Sequence, residues 1–406
     1  MGPSISTATP LSTTEELLAS VARALEMKLV NWRATRAEPT SNGEVHAYTV
    51  ELADAAGLLR TESVFVETNP RENPRPDVLR LRRESGEAFD VWLYPADPVL
   101  PVLSRVVYPD SATALLAELG VRLHVETLVV DSYRPGQRAV IRATGAEGTV
   151  FLKIVKPAKA AVLADKHKLF ESSGLVVPSV LGWSPDGVVV LSQLPGVEAQ
   201  NRIIQLADQE EAFLDSMRDL FARIGSVPAI YTARASLVDS AEWYIGRLTQ
   251  SLPDAADEIA LVGSRILELR DEGRAFLPSP VTTHGDLHLG QIFVDPDEPT
   301  RIVGLLDIDT AGAGDVADDA AALYAHLHAL ACSADYTDPV YAAACRRLAA
   351  NAAARWRSQR NSGFAVRARA IAATHLLGHA MRSVSGGAPV AGTKLLGAAG
   401  ELVYLA

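Results

Sequence analysis

Two oxygen-rich stretches stand close together late in this chain. The first is His284-Gly285-Asp286-Leu287-His288-Leu289-Gly290-Gln291; the second, Val303-Gly304-Leu305-Leu306-Asp307-Ile308-Asp309, places Asp307 sixteen residues beyond Gln291. Carboxylates and amide carbonyls are hard oxygen donors of the kind that hold Mg²⁺. A carboxylate beside a hydroxyl can also orient it and accept its proton. Asp286 therefore reads as a base, and Gln291 with Asp307 as metal ligands. Asp309 is either a further metal ligand or substrate contact, or an acid that caps a helix. Asp315, Asp318 and Asp319 read as caps of the next helix and braces for the loop.

These side chains need elements to position them. Gln291-Ile292-Phe293-Val294-Asp295 and Arg301-Ile302-Val303-Gly304-Leu305-Leu306 flank Pro296-Asp297-Glu298-Pro299, which is the pattern of a β-hairpin. Such a hairpin brings its ends together, and with them Gln291 and Asp307. In protein kinases an amide lies five residues after the catalytic-loop Asp, and a later Asp shares the same metals; Asp286 and Gln291 keep that spacing.

Upstream, three strand-like runs (Val125 to Val130, Arg138 to Ala143, Val150 to Val155) precede a helical stretch from Ala158 to Glu171. Val176 to Val180 and Val188 to Ser192 read as further strands, and Leu194-Pro195-Gly196 as a connector. This is the element order of a kinase N-lobe. Lys153 sits among apolar neighbours on the third strand, where kinases keep a phosphate-binding lysine, and Asp165 or Glu171 would be its partner. The other reading is an edge-strand lysine whose head reaches water. No GxGxxG is present. Ser132 to Arg138 forms a reduced loop whose backbone, Arg134 or Arg138 could meet phosphate, and Gln193-Leu194-Pro195-Gly196 would be the adenine-facing hinge.

The N-terminal part is organised differently. A Ser/Thr/Pro-rich opening over residues 1–15 reads as a loose arm, and Glu15 to Met27 as a helix. Strand-like runs follow from Val45 to Val102, interrupted by the Pro-rich Asn69 to Pro76. After Asn201 the pattern is helical up to Ser279, and again from Asp318 to Tyr404. The reading is an α+β, two-lobed protein-kinase-like fold, with a small β-rich N-lobe, a helical C-lobe and an additional N-terminal α/β cap subdomain. Its expected boundaries are 1–108 for the cap, 109–200 for the nucleotide-binding N-lobe and 201–406 for the C-lobe.

Composition narrows the partners. A net charge of −11 argues against nucleic acid and anionic membrane surfaces, both of which need a basic face. Cys332 and Cys345 form no CxxC pair and suit reduced thiols of a cytoplasmic protein. No apolar run is long enough to span a bilayer. Met1 to Ser6 matches the bare myristoylation pattern, read as chance beside Pro3. A monomer or small homo-oligomer is expected.

The motif set resembles the phosphotransferase superfamily that includes aminoglycoside, choline and homoserine kinases. Its His-Leu-Gly-Gln variant (His288 to Gln291) is most similar to bacterial maltokinases and the actinobacterial glucosamine kinases. Tyr94 to Pro101 resembles the Trp/Tyr-Pro-x-Asp-Pro-x-Leu-Pro pattern of their caps. Gln291 stands where the wider superfamily has Asn, so the loop backbone must sit further from a metal.

The resemblance implies an enzyme dependent on ATP and Mg²⁺ that phosphorylates a sugar or aminosugar hydroxyl. Glucosamine, converted to its 6-phosphate, is the lead acceptor, with maltose or an aminoglycoside behind it. Asp309 and the acidic chain favour an ammonium-bearing sugar. His288, Trp243, Tyr244, His326, His375, His379 and Arg382 are candidates for the acceptor pocket, or else ordinary helix residues. The alternative of another class is a catalytically silent kinase-like binding module. The intact set of Lys153, Asp286, Gln291 and Asp307 argues against it.

Overall fold

Thr13 opens the first helix with a capping box. Its hydroxyl accepts from the Glu16 N–H, and its own N–H donates to the Glu16 carboxylate. This helix, α1 (Thr14–Ala24), is shorter than predicted because Glu26 takes a left-handed φ of 57°. The computed structural model describes residues 13–40, 43–70, 78–82, 86–356 and 363–405. The myristoylation pattern, most of the N-terminal arm and most of the Pro-rich stretch before Pro76 lie outside them. The chain divides into two compact units, Met1–Asp165 with Ser179–Gln193, and Lys166–Pro178 with Leu194–Ala406.

In the first unit, α1 covers one sheet. Its strands are β1 (Lys28–Thr40), β2 (Gly43–Ala53), β3 (Leu59–Glu67), β4 (Leu79–Arg82) and β5 (Ala88–Leu93), in the order β1-β2-β3-β5-β4. Leu17, Leu18 and Val21 of α1 share a core with Val50, Leu52, Val64 and Val91. Sequence reading missed β1. Register shifts at Leu29/Asn31 and Ala34/Arg36 break the two-residue alternation by which a strand is recognised.

After α2 (Pro109–Glu118) comes a second antiparallel sheet. It contains β6 (Thr127–Arg134), β7 (Arg138–Gly145) and β8 (Gly148–Val155); then α3 (Pro157–Ser172) intervenes before β9 (Val180–Ser184) and β10 (Val188–Ser192). The order is β6-β7-β8-β10-β9, so β8 is an interior strand. The strand predicted at Val176 to Val180 begins only where that range ends. Pro178 has no N–H to give a ladder, and the Val176 carbonyl accepts from Leu305 instead, at 2.8 Å.

The second unit is mainly helical. Between β11 (Val197–Glu198), α4 (Ile203–Asp208), α5 (Glu210–Gly225), α6 (Ala241–Ser251) and α7 (Ala256–Arg274), one stretch departs from the helical prediction: residues 226–236 contain no helix. Then come β12 (Val281–Thr283), β13 (Ile292–Val294), β14 (Ile302–Leu305) and β15 (Gly312–Gly314). β13 and β14 form the expected hairpin, with Ile292 opposite Leu305, and β12 pairs with β15. Helices α8 (Val316–Ala334), α9 (Pro339–Trp356), α10 (Phe364–Ser385) and α11 (Pro389–Tyr404) complete it. Ala-rich faces of α8 and α10 are buried in one continuous core with Leu287, Leu289, Ile292 and Leu305, so the catalytic-loop and hairpin backbones rest on packed helices.

Candidate active site

The loop after β12 is held from behind by one carboxylate. Asp319, fully buried on α8, accepts from the N–H of His284 at 2.7 Å and of Gly285 at 2.8 Å. Burial pushes its carboxyl upward, while the two N–H groups and the nearby His284 pull the other way. Gly285 has φ +82°, and a Cβ there would lie 2.8 Å from the Thr310 carbonyl oxygen, so the close passage of the two loops requires glycine. Two further bonds tie the loops: His284 Nε2 donates to the Leu306 carbonyl at 2.9 Å, and Thr310 Oγ1 donates to the His284 carbonyl at 2.9 Å. Asp315 caps α8 by accepting from Ala317 N–H at 3.0 Å and is paired with Arg367. The expectation that these acids cap and brace thus describes Asp315 and Asp319.

Asp286 projects from this loop with about a third of its side chain exposed, and Arg234 Nη1 lies 3.4 Å from its Oδ1. Sequence reading did not single out Arg234. It belongs to the non-helical stretch before α6, which is fastened here because Arg234 N–H donates to the Thr310 carbonyl at 3.0 Å and Thr232 bridges to Ala313.

The hairpin brings Gln291 beside the residue that precedes Asp307. Leu306 N–H donates to the Gln291 carbonyl at 2.8 Å. Gln291 is 5 % exposed, and its side-chain Oε1 is buried with no hydrogen-bond partner. A buried amide oxygen without a donor is costly, and a hard cation is the kind of group that satisfies it. Asp307 adopts a left-handed φ of 58° and ψ of 48°, a conformation a residue with a Cβ holds only under surrounding constraint. Mg²⁺ fits this donor set. Gln291 and Asp307 would hold it, the remaining positions being left for phosphate and water oxygens. Among the described residues no three His, Cys, Asp or Glu side chains are grouped to hold a metal. Asp309 is half-buried, and its main-chain carbonyl accepts from the Lys166 ammonium at 2.7 Å.

Four histidines gather behind Asp286. The His288 ring stacks on His326 with centroids 4.3 Å apart, and His326 meets His379 edge-on at 4.6 Å. Arg382 Nη2 donates to His379 Nδ1 at 2.9 Å, while His379 Nε2 is buried without a partner. His288 Nδ1 accepts from Gly290 N–H at 3.1 Å, fixing that ring as a cap of the short turn Leu289–Gln291. Burial pushes His326 down to about 2, His379 to about 3, and His375 and His288 below their ordinary value, so these rings are neutral near pH 7. Arg234 and Arg382 both lie close enough to add to the depression at His326 and His375. Trp243 is half-exposed; it packs edge-on against Tyr244 and carries the Arg247 guanidinium 6.0 Å from its ring centre.

In the first unit, Lys153 is 6 % exposed on the interior strand β8, opposite Val140 and Val189. The edge-strand reading is thereby overturned. Asp165 and Glu171 of α3 are both exposed. The reduced loop is already engaged. Gly136 N–H donates to Asp97 Oδ2 at 2.7 Å, as does the Tyr133 hydroxyl at 2.9 Å, and Arg134 Nε is paired with Glu38 at 3.2 Å. Asp97 belongs to the Tyr94 to Pro101 segment, so this segment sets the backbone of the loop. One of the passages between the two units falls between the exposed Gln193 and the buried Leu194.

No helix among the described residues is long and apolar enough to cross a membrane. The chain has no match among the curated proteins. It is similar to several solved structures. A thermostable mutant of aminoglycoside phosphotransferase APH(4)-Ia is 15 % identical, with 71 % of this chain and 97 % of that one covered at a TM-score of 0.47. Aminoglycoside phosphotransferase APH(3'')-Id from Streptomyces rimosus ATCC10970 is 22 % identical, with 64 % and 97 % covered at 0.41. Macrolide 2'-phosphotransferase MphH from Brachybacterium faecium is 16 % identical, with 73 % and 98 % covered at 0.40. Residues 135–362, more than half of the chain, match the phosphotransferase enzyme family (APH), and the chain belongs to that family.

Proposed function

We propose that this phosphotransferase moves the γ-phosphoryl group of ATP, with Mg²⁺, to a hydroxyl of a sugar-sized small molecule. The observation that carries the reading is the buried, unpartnered Gln291 Oε1, held by the hairpin beside Leu306 and Asp307 and five residues after Asp286. In this reading Asp286 orients the acceptor hydroxyl and takes its proton. Gln291 and Asp307 hold Mg²⁺, which supplies charge neutralisation at the phosphates when bound. Lys153 is the proposed phosphate-neutralising cation, and main-chain groups of Gln193 and Leu194 are the proposed adenine contacts.

The acceptor side is built of neutral imidazoles with both donor and acceptor nitrogens, which suits a hydroxylated rim. His288, His375 and Arg382 are its proposed contacts, and Trp243 an outer one. The glucosamine reading asks Asp309 to meet an ammonium group. Guanidiniums of Arg234 and Arg382 stand near the imidazoles. Like charges disfavour a cationic sugar there, so a neutral sugar is the better acceptor and glucosamine the secondary one.

A coupled ADP-release assay tests this, run with Mg²⁺ and with EDTA on glucose, glucosamine, N-acetylglucosamine, maltose and an aminoglycoside. Metal-dependent turnover on a neutral sugar supports the reading. Nucleotide binding without turnover on any hydroxylated acceptor would favour a silent binding module, and a marked preference for glucosamine would restore Asp309 as an acceptor contact.

A further inference from the structure

Lys166 is the first residue of the part of α3 that belongs to the second unit. It is 6 % exposed, and its Nζ donates to the main-chain carbonyls of Asp309 at 2.7 Å and Ala311 at 2.6 Å. The Tyr231 ring lies beneath it, 5.4 Å from Nζ to the centroid. Burying an ammonium is unfavourable unless it is fully used, and these two bonds go to backbone, which no substitution on the loop can supply or remove. The two carbonyls bracket Thr310, whose hydroxyl fastens the catalytic loop at His284. They lie two and four residues after Asp307, whose left-handed backbone needs an outside constraint. Charge-assisted bonds are about twice as strong as neutral ones and suit that task. Lys166 is therefore placed to set the shape of the segment Asp307–Ala311 without standing in the acceptor site.

We propose that Lys166 is a positioning residue for the metal-binding loop, holding Asp307 in the conformation in which it and Gln291 share one divalent cation. The proposal rests on reading Gln291 and Asp307 as the metal pair. The test uses the full-length chain and ADP as the probe, with affinity measured by calorimetry in Mg²⁺ and in EDTA, and Mn²⁺ occupancy measured by the loss of its free spectroscopic signal. Lys166→Met is expected to weaken Mn²⁺ and Mg²⁺-dependent ADP binding tenfold or more, while ADP affinity in EDTA changes less than twofold. Lys166→Arg keeps the charge with altered geometry and is expected to lose two- to fivefold, again only with metal. Unchanged metal-dependent binding in Lys166→Met, or equal losses with and without metal, overturns the proposal, the latter because a purely structural role would act on both. Should Lys166→Met fail to fold, Lys166→Arg decides by the same criterion. Asp307→Ala is the control for the underlying reading: if it binds Mn²⁺ and ADP like the wild type, the metal pair itself is wrong, whatever the Lys166 variants do.

Discussion

Asp318 offers a pH test whose sign and size follow from its surroundings. Its Oδ1 accepts from the Ser236 hydroxyl at 2.5 Å, which favours the carboxylate. Burial outweighs that bond, and the neighbouring Asp315, Asp319 and Asp239 add to it, so the carboxyl is raised from its ordinary 3.8 to about 7. Between those two pH values the folded protein holds a proton that the unfolded chain has released. Stability therefore falls as pH rises through this window. The full penalty, present above pH 7, is worth roughly 4 kcal/mol at most. Asp318→Asn removes it and keeps an oxygen for Ser236. The variant should match the wild type near pH 4 and melt higher, by several degrees, at pH 8. Circular dichroism melts at half-unit intervals from pH 4 to 8.5 measure this directly. A difference between variant and wild type that does not grow with pH, or a variant that melts lower at pH 8, would refute the argument that desolvation dominates this carboxyl.

Other expectations concern the machinery itself. Asp286→Asn should still fold and bind ATP, yet lose several orders of magnitude in turnover, because orientation and proton acceptance go together; single-turnover assays on the best acceptor measure it. Lys153→Ala should raise KM for ATP and lower kcat while acceptor KM stays near normal, and steady-state kinetics with each substrate varied separates the two. Asp319→Ala strands the buried N–H groups of His284 and Gly285 and should cost about 3 kcal/mol in local stability, read as faster amide exchange in the loop. Asp97→Ala frees the Gly136 amide and should change ATP affinity without changing acceptor affinity; equal effects on both would rule out a role confined to the loop.

The local elements of the site were legible where short-range chemistry decides them. Pro296 to Pro299 between two apolar runs is a turn in any context, and it was enough to place Gln291 beside the approach to Asp307. β7, β8, β10 and α3 likewise carry their own periodicity, and the apolar neighbours of Lys153 marked a buried strand, though not that it is an interior one. β1 was hidden because its two register shifts erase the alternation.

What only the tertiary structure decided are the contacts that neither partner advertises. Lys166 and the carbonyl of Asp309 are 143 residues apart, and an acceptor that is backbone has no identity in a sequence. Arg234 lies in a stretch that reads as helix and is drawn to Asp286 by a hydrogen bond to Thr310 and a bridge to Ala313. The four histidines come from three separate places in the chain, and their neutrality belongs to the burial that α8 and α10 create together. Residue type and near spacing set which chemistry is available. Desolvation and bonds across long stretches of chain set which of those groups is charged, which is held, and which oxygen is left without a partner.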